Sequence, residues 1–277
     1  MPYPVVDNQC LAPALHRLRI VAPRVARARQ PGQFVIVRAA EGAERIPLTI
    51  GDANPDTGTI DIFVQALGSG TRQIVAAAAA GSLQDVAGPL GQPTHLQRWG
   101  RAVCVGGGVG TAVLFPLAKG LAALGNSVTA ILGARSADYI ILQQELAAFC
   151  ATVLPVTEDG SAGQQGRVTD ALATLLRDPA RCPEVVFAVG PLPMMRAVAE
   201  MTRPQAIPTL VSLNPIMIDG TGMCGGCRVT VGGETRFACI DGPEFDGHQV
   251  DFASLEDRLS MYLHDGAGCR LAGDRHQ

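Results

Sequence analysis

Four potential metal donors at fixed spacing, Asp219-x4-Cys224-x2-Cys227-x11-Cys239, constrain this chain more than any other stretch. Glycines at 220, 222, 225 and 226 separate them, so the backbone can bend closely around a bound group and turn its N–H groups toward it. Arg228-Val-Thr-Val and Thr235-Arg-Phe-Ala-Cys flank Gly232-Gly233 and predict a hairpin that returns Cys239 beside Cys224 and Cys227. A structural zinc ion accepts three Cys and one Asp. An iron–sulfur cluster is held by C-x4-C-x2-C and a distant fourth Cys, and here Asp219, a harder oxygen donor, stands at the first position with the spacing kept. Spacing favours the [2Fe–2S] reading, since paired CxxC knuckles are missing, and leaves zinc open. Cys10, Cys104, Cys150, Cys182 and Cys269 are scattered singly and are expected to be small buried hydrophobes or incidental surface thiols.

At 277 residues the chain has room for about two domains and a small third unit. Only 17% of residues are charged and the net charge is −3, which leaves no basic footprint for DNA or RNA. The mixed start Met1-Pro-Tyr-Pro lacks the pattern of a secretory leader, and no apolar run reaches spanning length. The expectation is a soluble cytoplasmic protein that keeps its thiols reduced.

From Leu11 to about Pro93 the apolar runs are short: His16 to Val21, Phe34 to Arg38, Arg45 to Ile50 and Thr59 to Val64. Turn residues such as Pro31-Gly32 and Gly68-Ser-Gly separate them, and no helical period is sustained until after residue 70, which predicts an antiparallel barrel. Arg45-x-Pro-Leu-Thr49 puts a guanidinium and a hydroxyl at one strand end, within reach of a phosphate and a flavin ring edge. Gly68-Ser-Gly-Thr-Arg opens a short helix, Arg72 to Ala79, whose N-terminal amides suit a pyrophosphate.

Near Arg101 the pattern becomes alternating strands and helices, the mark of a parallel doubly wound sheet. The expected pairs are strand 102–106 with helix 111–124, strand 127–132 with helix 137–149, strand 152–156 with helix 168–176, and strand 184–189 with helix 193–201; residues 207–213 form the last strand. Pro116 calls for a place in the first turn of its helix. Gly106-Gly-Gly-Val-Gly-Thr111 between strand and helix is a dinucleotide cradle, although the third glycine of the usual fingerprint is Thr111. The second strand ends in Gly133-Ala-Arg135 rather than an acid, so NAD and NADP stay open. Glu158-Asp159 reads as a surface loop.

Pro31-Gly-Gln-Phe34, Arg45-x-Pro-Leu-Thr, Gly68-Ser-Gly-Thr and Gly88-Pro-Leu-Gly91, in this order, resemble the flavin barrel of the ferredoxin–NADP reductase superfamily. The resemblance implies FAD, with Arg45 on its phosphate, Pro47, Leu48 and Thr49 along the isoalloxazine, and Gly70 and Thr71 at the pyrophosphate; Phe34 is a barrel-core position. It likewise implies NAD(H) or NADP(H) at Gly107, Gly108, Gly110, Thr111 and Arg135, with the Gly190-Pro191-x-x-Met194 contact beside the nicotinamide. Ser212 to Met217, Asp219 to Gly225 and Ala238 to His248 resemble a narrower family, the small subunit of NADH-dependent ferredoxin–NADP oxidoreductase, related to the electron-transfer subunit of dihydroorotate dehydrogenase. The dihydroorotate relatives have Cys where Asp219 stands.

The implied architecture is β + α/β: an FAD-binding barrel (1–96), an NAD(P)-binding domain (97–211), a [2Fe–2S] unit (212–263) with Asp219, Cys224, Cys227 and Cys239 as ligands, and a poorly ordered tail (264–277). The implied partner is a larger FAD/[4Fe–4S] flavoprotein related to the glutamate synthase small subunit, with ferredoxin as a further partner in some members. Glu244 and His248 have no chemical role beyond shaping the loop behind Cys239. Two rival readings are a dihydroorotate dehydrogenase subunit and a non-enzymatic redox or metal sensor.

Overall fold

The computed structural model describes residues 2–260. The first sheet contains β1 (Tyr3–Ala12), β2 (Leu15–Val21), β3 (Phe34–Arg38), β4 (Ile46–Asn54), β5 (Thr59–Gln65), β6 (Ser82–Leu83) and β7 (Asp85–Leu90). They pair antiparallel in the order β6-β1-β2-β5-β4-β3-β7 and curl around Leu18, Ile20, Ile60, Ile62 and Val64, all fully buried. Each such side chain contributes about 1.5–3 kcal/mol on leaving water. A first strand at Tyr3 precedes the apolar runs that begin at Leu11, because β1 faces solvent along most of its length and its Asp7-Asn8-Gln9 centre carries no apolar alternation. A six-residue helix, α1 (Pro23–Ala28), also precedes residue 70; it opens on a proline and is too short to display a helical period. The next helix, α2 (Ser69–Ala79), starts three residues before Arg72.

The second sheet holds β8 (Arg101–Gly107), β9 (Ser127–Ala134), β10 (Thr152–Thr157), β11 (Gln164–Gln165), β12 (Val185–Val189) and β13 (Thr209–Ser212). They are parallel, in the order β11-β10-β9-β8-β12-β13, and α3 (Gly110–Ala123), α4 (Gln143–Ala147), α5 (Val168–Arg177) and α6 (Leu192–Thr202) connect them. The chain leaves β8 in one direction along the sheet and returns on its other side at β12. A crevice between β8 and β12 is therefore the topological switch point, where such sheets receive ligands.

Three expectations about this sheet need correction. The helix expected over 137–149 is a 3-10 turn (Ala137–Tyr139) and the short α4, interrupted at Leu142, whose φ of +56° is left-handed; Ile141 and Leu142 are buried, and this break is what brings both into the core. Pro116 lies in the second turn of α3, because the helix starts at Gly110; its missing N–H leaves the Ala112 carbonyl without a helical donor, and its buried ring offsets part of the cost. Finally, β13 is not the last strand: the chain leaves the sheet, forms the hairpin β14 (Arg228–Val231) and β15 (Glu234–Phe237), and returns as β16 (Glu244–Asp246). β16 runs antiparallel to β13 with Ser212 opposite Glu244 and Val211 opposite Phe245.

Polar contacts fasten the barrel to the sheet beside the apolar packing of Leu15 and Phe63 against α3. Asp52 on β4 receives both Arg29 and, from α3, Lys119, each at 3.0 Å. The segment leaving the barrel clasps the segment behind Cys239: the Gln92 N–H donates to the Gly242 carbonyl (2.6 Å), Gln92 Nε2 to the Ile240 carbonyl (2.8 Å) and Thr94 Oγ1 to Glu244 Oε1 (2.8 Å). Helix α7 runs over 252–260; a helix is predicted over 252–263 from its apolar period, and its last residues and the tail 264–277 lie outside the described residues. Among the described residues no helix is long and apolar enough to cross a membrane.

Candidate functional site

The barrel and the parallel sheet face each other across a cleft of about 1500 Å³, more than the roughly 300–1,000 Å³ that a single small ligand takes. Strand alternation on and beside β4 sends Arg45, Pro47 and Thr49 to the cleft. Leu48, between them, packs against the barrel core instead. Gly70 and Thr71 do not line the cleft: the Thr71 hydroxyl meets the Gly68 N–H at 3.1 Å and closes the start of α2. At Gly70 a Cβ would lie 2.3 Å from Glu44 Oε2, so the Glu44 carboxylate occupies the helix start where an anion is favoured.

On the opposite wall Gly107, Gly108 and Gly110 lie where β8 turns into α3. Gly108 has a φ of +55° and open space where a Cβ would stand, so its backbone is bare to a ligand; a Cβ on Gly107 would press within 2.6 Å of Met194 Sδ. Gly190, Pro191 and Met194 complete this wall at the end of β12. Thr111 is buried under the loop, away from the cleft lining. The bare glycine turn at a switch point, opposite a guanidinium and a hydroxyl, fits an extended phosphate-bearing cofactor on each wall.

At the far end, Arg135 stacks over Tyr139 at 5.6 Å and shares the lining with Glu158 and Arg167. The β9–β10 register sets Ala134 opposite Thr157, which puts Glu158 in the row beside Arg135. Glu158, read from the sequence as surface loop, is exposed and also lines the cleft. An acid at the end of the third strand was the available signal; the usual search stops at the second. Residues 214–218 were also missed as lining, and they run directly into Asp219.

Two of the four donors meet directly, and the other two share one loop. Cys227 and Cys239 are buried with their sulfurs 3.2 Å apart, and burial followed by the Cys227 contact pushes the Cys239 thiol up to about 12. Asp219 Oδ2 accepts the Cys224 N–H at 2.8 Å and Oδ1 that of Thr221 at 2.9 Å. Those backbone donors, Thr221 foremost, hold Asp219 below the usual carboxylate range. Four donors at this spacing suit a two-iron cluster, in which the irons share the protein ligands between them. Arg258 of α7 donates to the Gly226 carbonyl at 3.0 Å and braces the loop. Met223, 89% exposed, stands on its outer face, with Ile218 and Ile240 also exposed beside the loop.

Residues 214–251 match the family described as the iron-sulfur cluster binding domain of dihydroorotate dehydrogenase B. Over 88% of its length the chain is 46% identical to a Thermotoga maritima dihydroorotate dehydrogenase B (NAD(+)) electron transfer subunit homolog, covering 85% of it. It is 35% identical to the corresponding subunit of Geobacillus thermodenitrificans, covering 89% of this chain and 96% of that one. Among solved structures, the NADH-dependent reduced ferredoxin-NADP oxidoreductase, a protein of flavin-based electron bifurcation, superposes with a TM-score of 0.88 at 43% identity, covering 94% of this chain and 93% of the other.

Proposed function

The chain belongs to the family of electron-transfer subunits represented by dihydroorotate dehydrogenase B and its homologues, and we propose that it carries electrons between NAD(P)H, FAD and a [2Fe–2S] cluster. One observation carries the reading: a single cleft is lined by Arg45 and Thr49, by the Gly108 turn, and by residues 214–218 that lead into the donor loop. A bound flavin supplies the conversion between two-electron hydride chemistry and one-electron chemistry.

The residues bind, orient and shield. Arg45 holds a phosphate and Thr49 offers a hydroxyl to the ring edge, while Pro47 forms an apolar wall. Gly108 admits a pyrophosphate to the backbone amides, and Pro191 and Met194 fill the space beside the nicotinamide end and exclude water. Asp219 with Cys224 would hold one iron, and Cys227 with Cys239 the other. Relatives that use NAD(+) and NADH support NAD(H) as the nucleotide.

The electrons pass to or from a larger flavoprotein subunit of the glutamate synthase small-subunit type, with ferredoxin beyond it. Met223, Ile218 and Ile240 offer that partner an apolar contact around the cluster loop. Free thiols at the described cysteines support a cytoplasmic setting. A dihydroorotate-oxidising partner is the second reading, supported by the relatives' names and opposed by Asp219.

Anaerobically purified protein should contain one FAD and two irons per chain and give an EPR signal on reduction by NADH. Zinc without flavin would end the proposal. Copurification with a dihydroorotate-oxidising subunit would select the second reading.

A further inference from the structure

Glu244 is the carboxyl group that the electron-transfer reading leaves without a role. It sits deep in the molecule and keeps a small contact with solvent, where the barrel exit, β13 and β16 meet. Its one hydrogen-bond donor among the described residues is the Thr94 hydroxyl, at 2.8 Å. Thr94 is itself locked to the barrel, since its N–H donates to the Pro31 carbonyl at 2.9 Å. The neighbouring bonds from Gln92 to Ile240 and Gly242 grip the chain just behind Cys239. Glu244 therefore closes the clasp between the barrel and the segment that carries a cluster ligand.

A carboxylate in this place has one hydroxyl donor against the several that a buried charge requires, whereas the neutral acid carries no charge to desolvate. Burial accordingly pushes Glu244 up to about 7, against a smaller lowering by Thr94. The facing groups add no counter-charge. Cys104 on β8 is fully buried and pushed up, so its thiol stays neutral, and Ser212 is the opposite residue on β13. Asp246, two residues along β16, is engaged by the His248 N–H and by Gln249; His95, beside Thr94, is exposed. The barrel turn 31–33 contains no ionisable side chain.

We infer that Glu244 is a proton-binding positioning residue, which leaves the clasp of the barrel on the cluster-bearing segment closed when protonated and, when ionised, loosens it by placing there a charge that the Thr94 hydroxyl alone does not offset. The sign follows from linkage: a folded-state value above the unfolded one stabilises the native state at low pH, and that contribution is lost as pH rises through about 7. The inference does not depend on which cofactors load, because its readouts are mechanical and protonic.

Hydrogen exchange of the amides in 91–94 and 240–246, corrected for intrinsic rates, is the test, on the protein as purified. In the wild type, opening should rise with pH by up to about tenfold per unit between pH 5 and 7 and level off above. Glu244→Gln keeps a neutral acceptor for Thr94 and should abolish this slope. Thr94→Val, which removes the donor, should move the inflection upward. Infrared spectra should show a protonated-carboxyl band that disappears across the same window in the wild type and is missing from Glu244→Gln. A Glu244→Gln protein with an unchanged slope, or a wild type whose band and exchange do not respond to pH, overturns the inference; if that variant fails to fold, the wild-type band and Thr94→Val decide.

Discussion

Asp219 can be tested by the substitution that restores four thiolates. Asp219→Cys should still load a cluster, because the spacing is kept, but with altered EPR g-values and midpoint potential. An identical spectrum would mean that the carboxylate is not bound to iron. At the other end of the cleft, Glu158 has the position of a ribose acid although it follows the third strand. Glu158→Gln should raise kcat/KM for NADPH relative to NADH by about tenfold, the scale of one charge-assisted hydrogen bond, in steady-state reduction of an artificial acceptor. An unchanged ratio would remove Glu158 from nucleotide selection. At this scale the sequence was legible wherever strand alternation decides: Arg45 and Thr49 reach the cleft. Leu48, packed on the barrel core, and Thr111, beneath the glycine turn, do not line the cleft, and no pattern in the sequence marks that.

The glycine turn between β8 and α3 separates two costs that look alike in sequence. A Cβ on Gly110 would stand 2.2 Å from the Val189 carbonyl oxygen, a backbone atom that cannot move aside. Gly110→Ala should therefore lose about 1–3 kcal/mol of unfolding free energy. Gly108→Ala has free space but a left-handed backbone, costing about 1–2 kcal/mol, and its methyl group projects into the cradle. Its larger effect should be on nucleotide affinity. Denaturant titration and nucleotide titration on both variants separate the two; equal affinities would show that the turn does not touch the nucleotide. Elements with a full period were readable, β8 with α3 and β10 with α5 among them. β16 was not, because three residues between Gly242-Pro243 and Gly247 have no period to show, and the broken helix at Leu142 was hidden by an unbroken apolar run.

For the molecule as a whole, the relation of barrel to sheet rests on Asp52 as well as on the clasp at Thr94. Arg29, with 11% of its side chain exposed, depends on Asp52 for its counter-charge, and burial lowers its affinity for the proton. Asp52→Asn should cost about 1–2 kcal/mol, discounted for the partly exposed Asp52 and Lys119, and should loosen the barrel from α3. A denaturation curve and exchange of the α3 amides read both effects; unchanged values would leave the joint to apolar packing alone. The order of units was legible because the hydrophobic period changes near Arg101. Their junctions were not, since Asp52–Lys119 and Thr94–Glu244 join residues far apart in the chain that no local pattern relates.

The return of the chain to the sheet makes the cluster-bearing segment an inserted cassette. Ser212 and Glu244 face each other as antiparallel partners, so residues 213–243 begin and end at the same spot on the sheet edge. The segment is not independent of the sheet, since its Leu213, Met217, Val229 and Ala238 share a core with Val103, Val105 and Val186. By the geometry of its two ends, a longer or differently liganded insert that keeps this core can be accepted there without rebuilding the nucleotide domain.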